Sequence, residues 1–190
     1  IINDFIQGLD DDGNLGEFDL LHLLAGMETD EQRTTPFIST GGGFSLLGGP
    51  LADVNGITTD GSTSYLEMQW NPIAHGIKYT LDYASFGYYN ILERSANNSK
   101  TDMGVQDAFI NSRIVGDYTQ MACNNGLSTV QSNTSAIGLF SAIRRGPSEF
   151  YTAINGSEFG PDGTSSSAPA NQIMFLGAIN NAGVPVNHAD

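Results

Sequence analysis

From about Leu51 onward the chain is written in short runs of Tyr, Phe, Ile, Val and Thr, separated by clusters of Gly, Asn, Asp and Ser. β-Branched and aromatic side chains fit a pleated, half-buried surface, and the separators are the residues that tight turns use. The texture predicts many short antiparallel strands packed as two sheets. No internal repeat of 20 to 50 residues is visible. In TSYLEMQWNP (residues 63–72) Leu66, Met68 and Trp70 alternate with Tyr65, Glu67 and Gln69, so one strand face is apolar and the other mixed; Pro72 ends the strand. LDYASFGYYNIL (81–92) reads as an aromatic strand, bulged or closely approached at Gly87. AIGLFSAIRR and SEFYTAIN flank a Gly-Pro turn, and Asn155-Gly156 suits the two positive φ angles of a type I′ hairpin. QIMFLGAIN (172–180) is apolar on both faces and predicts a central strand.

The first thirty residues follow a different period. Ile2, Phe5, Ile6 and Leu9 recur at helical spacing, and Gly13 is a natural left-handed stop. The acidic run around it resembles a calcium loop only in outline. With Gly13 at the obligatory glycine position, Gly8 falls where the first carboxylate belongs and Asp19 replaces the bidentate glutamate. Helix punctuation explains the stretch better. Asn14 with Glu17 three positions on reads as a capping box, opening a second helix that buries Leu15, Phe18, Leu21 and Leu24. His22 then lies within that helix beside apolar neighbours, as a partly buried structural histidine. The expected organisation is a helical N-terminal segment over 1–30, a connector over 31–50, and a sandwich domain over 51–190.

Charge excludes some partners. Seven Lys and Arg stand against 21 Asp and Glu, a formal charge of −14 on 190 residues, with Arg144-Arg145 the sole basic pair. Such a surface repels phosphate backbones and anionic lipid, so nucleic acid and membrane insertion are not expected. No apolar run approaches the roughly 20 residues that span a bilayer. Cys123 is the single cysteine, so neither an internal disulfide framework nor a multi-cysteine zinc site is available, and a small buried hydrophobe is its simplest role. Ile1 is no initiator methionine and IINDF lacks a signal peptide's regions, which suggests a processed or partial product.

The order of TDGSTSYLEMQWNP (59–72), HGIKYTLDYASFGYY (75–89), IGLFSAIRRGPSEFYTAINGS (137–157) and NQIMFLGAINNAG (171–183) resembles structural proteins of tailed bacteriophages that carry a concanavalin A-like, or laminin G-like, jelly-roll domain. The likeness covers most of the chain from residue 4 and rests on phrase order, not on a catalytic signature. It implies a virion component, a head or tail fibre or other appendage. Such a component is non-enzymatic and assembles with other virion proteins or copies of itself as a homo-oligomer, with host-surface glycan as ligand. Proteins of this kind usually continue past NHAD with one more strand, so the resemblance also implies a closing strand lost or supplied by another chain.

Catalytic patterns are sparse. Glucanases on this sandwich place two carboxylates at alternate strand positions, about 5 Å apart for retention. Here Glu67 is followed by Gln69 and Asn71, leaving only Asp82 or Asp102 to be brought near by the fold. A secreted carbohydrate-active hydrolase or lyase is the alternative to a binding module. Gly43 to Gly48 has phosphate-loop spacing, but Gly49 and Pro50 stand where Lys and Ser or Thr are required. There is no GxSxG elbow, and His22, His75 and His188 are too dispersed for a local zinc motif. Sugar recognition asks for flat rings and orienting amides or carboxylates, which nominates Tyr65, Trp70, Tyr88 and Tyr89 with Asn71, Asp82 and Asn90. Alternation favours a plainer role for the same rings, with Trp70 in the core and the tyrosines covering a sheet face. The resemblance adds calcium at the rim, with Asp60 and Asp162 as ligands; no other cofactor is expected. Asn97, Asn133 and Asn155 begin sequons that carry no meaning in a phage product.

Overall fold

The computed structural model describes residues 2–96, 100–125 and 129–189. The sequon at Asn97 lies outside them. Helix α1 (Ile2–Asp11) forms as its period predicts and ends as the chain passes Gly13 at φ 72°. The second helix does not form. Leu15–Glu17 makes one 3-10 turn, the Asn14 side chain caps nothing, and Phe18 is already extended. A distant contact overrides the local signal: the buried carboxylate of Asp19 accepts the backbone N–H groups of Ile77, Lys78 and Tyr79 at 2.8–3.0 Å. Beyond it Leu20–Leu21 (β1) pairs with Ile38–Ser39 (β2) across the short helix α2 (Asp30–Thr34). The capping box sits there instead, closed reciprocally by Thr29 and Gln32. His22 is half-buried, but outside any helix, stacked on Phe44 at 4.0 Å with Nε2 facing the Arg33 carbonyl.

Strands follow in quick succession. β3 (Ser45–Leu47) falls inside the expected connector, yet it pairs with β6 (Tyr65–Glu67); between them β4 (Leu51–Asp53) and β5 (Gly56–Thr58) form a hairpin. Helix α3 (Pro72–His75) interrupts the run, its proline at the first helical position. The remainder is β7 (Ala84–Asn90), β8 (Met103–Val105), β9 (Ala108–Ile114), β10 (Tyr118–Cys123), β11 (Thr129–Ser132), β12 (Gly138–Gly146), β13 (Glu149–Ile154), β14 (Ser157–Asp162), β15 (Phe175–Leu176), β16 (Ile179–Asn181) and β17 (Val184–Val186). The protein is mainly β, as expected, and its sheets are built from antiparallel pairs apart from β16 on β8.

Two sheets carry the fold. The larger runs β11-β10-β9-β8-β15-β6-β3, with β16 beside β8 and β17 on β16, and the smaller runs β14-β13-β12-β7. The expected single strand over 172–180 is two pieces, because the chain turns at Gly177 (φ 81°) between β15 and β16. β15 is nonetheless central, flanked by β6 and β8. The Asn155-Gly156 hairpin is as read: φ is 50° and 81°, and Ile154 pairs with Ser157. Both sheets contribute to one core, the larger through Leu66, Val105, Ile110 and Met121 and the smaller through Phe140, Ala142 and Phe150, each buried to within 1%. Truncating a ring such as Phe140 in packing this dense costs about 3–5 kcal/mol. Arg144 is also inward, at 2% exposure; its guanidinium donates to the carbonyls of Cys123, Gly146, Pro147 and Thr164 and lies 5.6 Å over the Phe150 ring. The clamp ties the segment after β14 to both sheets.

Candidate functional site

Strand alternation divides the smaller sheet cleanly. Phe86, Tyr88, Phe140, Ala142, Phe150 and Thr152 face the core, so their neighbours face outward. The register aligns the outward residues in rows: Tyr89 beside Leu139, then Gly87, Ser141 and Ala153, then Ser85, Ile143 and Tyr151. Tyr89 is 65% exposed. The two rings stand at either end of a low floor, four residues apart along β12, or about 13 Å at ordinary strand rise. Gly87 sets the floor height, because a Cβ there would lie 2.5 Å from the Phe140 carbonyl oxygen and 2.6 Å from Ser141 Oγ. Arg145 closes one side. It lies 4.9 Å over the Tyr151 ring and donates two hydrogen bonds to the Glu158 carboxylate at 2.6 and 2.7 Å, which fixes the position of the guanidinium. The arrangement offers aromatic surface and oriented polar groups.

The nominated residues are dispersed. Trp70 is core, its Nε1 donating to Thr40 Oγ1 at 3.2 Å and its ring edge-on to Tyr79 at 5.5 Å. Asn71 caps α3, accepting from the N–H groups of Ile73 and Ala74, and its amide donates to Asn171. Tyr65 is half-buried between Phe175 and His188. Asp82 accepts from the Ser166 hydroxyl at 2.5 Å. Asn90 ends β7, donating to the carbonyls of Leu92 and Ala136. Tyr88 faces inward, stacked on Phe140, and burial pushes its hydroxyl well above the tyrosine range. Tyr89 alone stands open on the face. Tyr151, Arg145 and Glu158 are not among the sequence candidates, although the alternation of SAIRRG and SEFYTAI, followed to its outward set, points to the first two.

The rim aspartates are occupied by the protein's own donors. Asp60 accepts the N–H groups of Ser62, Thr63 and Ser64 and the hydroxyls of Thr63 and Ser64, which holds its carboxyl far below the usual range. Asp162 takes the Thr164 N–H and hydroxyl on one oxygen and the Thr129 hydroxyl on the other, and it too is held low. Neither belongs to a cluster of three metal-ligating side chains among the described residues. Asp102 is buried against Arg94 at 3.1 Å and accepts the Ser112 N–H; burial raises its pKa while the Arg94 charge opposes the rise. Its oxygens point into an internal ion pair. Cys123 is fully buried, its thiol pushed up to about 12 by desolvation.

No family model, no curated protein and no solved structure matches the chain.

Proposed function

We propose that the chain is a non-enzymatic interaction module of a virion appendage, a concanavalin A-like jelly-roll sandwich that engages carbohydrate through the open face of its smaller sheet. One observation carries the proposal: Tyr89 and Tyr151 flank a low floor beside a fixed guanidinium, whereas the nominated carboxylates are spent on internal bonds. Ring faces supply apolar contact to sugar C–H groups at low entropic cost, and Arg145 with Glu158 orients hydroxyls. A formal charge of −14 favours neutral over acidic sugars. Helix α1, with Phe5 about half exposed at 48%, supplies an apolar stripe for contact with a neighbouring virion protein.

The test is a glycan array followed by calorimetry on the hits, comparing the chain with Tyr89→Ala and Tyr151→Ala. Selective binding of neutral glycans, weakened at least tenfold by either substitution with the melting temperature retained, supports the assignment. Absence of hits at high protein concentration, or hits indifferent to both substitutions, overturns it.

A further inference from the structure

We propose that β7 is an assembly edge, at which a second copy of this chain adds its own β7 antiparallel and centred on Gly87, merging two small sheets into one. β7 ends the order β14-β13-β12-β7, with β12 on one side. Which backbone groups face outward follows from its neighbour. The N–H and C=O of Leu139 are engaged with Asn155 on the β13 side, so those of Phe140 face β7, where the register sets Phe140 opposite Tyr88. The N–H and C=O groups of Ser85, Gly87 and Tyr89 therefore point away from the sheet. No described residue hydrogen-bonds to them, and all three residues are exposed; for Gly87 the exposed surface is the backbone itself.

Sheet edges are normally blunted by charge, proline, irregularity or brevity. The opposite edge, β14, has Glu158, Asp162, Pro161 and a register shift. The larger sheet's terminal strands, β11, β3 and β17, have four, three and three residues, and β17 contains Pro185. β7 has seven residues, ASFGYYN, with neither charge nor proline. That neutrality points to a second copy: on a chain of charge −14, an acidic seam would repel itself, and this one does not. Pairing about Gly87 sets each Tyr89 opposite Ser85 of the other copy and diagonal to its Gly87, so the large ring covers the gap left by the missing side chain. The contact is isologous and closes at a dimer.

The proposal goes beyond sugar binding and fails separately from it, since pairing is made through in-plane backbone groups and is read by sedimentation of the chain alone, with no sugar present. Sedimentation across a concentration series should show a reversible dimer, weakened at least tenfold in Ser85→Pro and Ser85→Lys. The proline removes only an N–H directed away from β12, so the melting temperature should hold; should it fall, the lysine variant decides. Cys123 is buried and is the sole cysteine, so engineered thiols report cleanly. Oxidising a mixture of Ser85→Cys and Tyr89→Cys chains should give the mixed disulfide in preference to either self-linked product. A chain that stays monomeric at its solubility limit, a dimer unchanged by Ser85→Lys, or preferential self-linking overturns the proposal.

Discussion

Asp19 and Tyr79 are sixty residues apart in sequence, yet the Asp19 carboxylate accepts the Tyr79 backbone N–H at 2.8 Å and those of the two residues before it at similar distances. One side chain thus satisfies three consecutive donors and pins the N-terminal segment to the turn that leads into β7. Replacing Asp19 with Ala leaves those donors unpaired and should cost about 3 kcal/mol, while Asn, which keeps one acceptor oxygen, should cost less. Equilibrium urea unfolding of the two variants measures the difference; equal stabilities would deny the Asp19 contacts this role.

Gly87→Ala should destabilise by about 1–3 kcal/mol, because the Phe140 carbonyl oxygen 2.5 Å from the new methyl belongs to the paired strand and has no room to retreat. Ser141→Ala in the same background should restore only part of the loss, since it relieves the hydroxyl contact alone. Thermal melts of the single and double variants check both statements.

Acid should weaken the fold through particular groups. Asp162 is held low chiefly by the Thr164 hydroxyl and Glu93 by the Ser135 hydroxyl, so each contributes stability that is present above its unfolded pKa, near 4, and lost as pH falls below it. Asp102 has the opposite sign: burial raises its pKa, so its contribution is largest in acid and fades as pH climbs past the unfolded value. Asp162→Asn and Glu93→Gln should therefore flatten the acid limb of a stability profile taken between about pH 3 and 6. An unchanged limb in both variants would refute the assignment.

Cys123 should resist Ellman's reagent in the native state and react at the rate of global opening, because its thiol is both inaccessible and held up at about 12. Labelling in increasing urea should follow the unfolding curve; a fast native phase would contradict the burial.

What could be read from the sequence was local. The alternation of Leu66, Met68 and Trp70 and the Asn155-Gly156 turn depend on residues a few positions apart; the turn and the burial of the three side chains hold, but β6 ends at Glu67, before Gln69 at φ 46°, and not at Pro72. The second helix failed because Asn14 and Glu17 carry a sound local signal that a non-local bond at Asp19 outweighs. QIMFLGAIN revealed its burial but not its break, since the turn at Gly177 is needed only to bring β16 alongside β8. For the candidate site the miss was one of bookkeeping. Asn71 before Pro72 is a helix-capping pair, and Asp60 among Ser and Thr residues is a side-chain turn, so their polar atoms were committed before any ligand was considered. The outward partners of β12 and β13 needed the cross-strand register, which composition does not supply.

The position of β15 between β6 and β8 has a consequence for biosynthesis. Residues 65–67 and 103–105 gain their shared neighbour only from residues 175–176, so a ribosome must thread out more than a hundred further residues after β6 before the larger sheet becomes continuous. During that interval the small sheet's hairpins, whose partners are adjacent along the chain, are able to form first. The growing polypeptide then carries an open gap in its larger layer, a window in which a chaperone or a sibling chain on the same message meets strands still waiting for their neighbour.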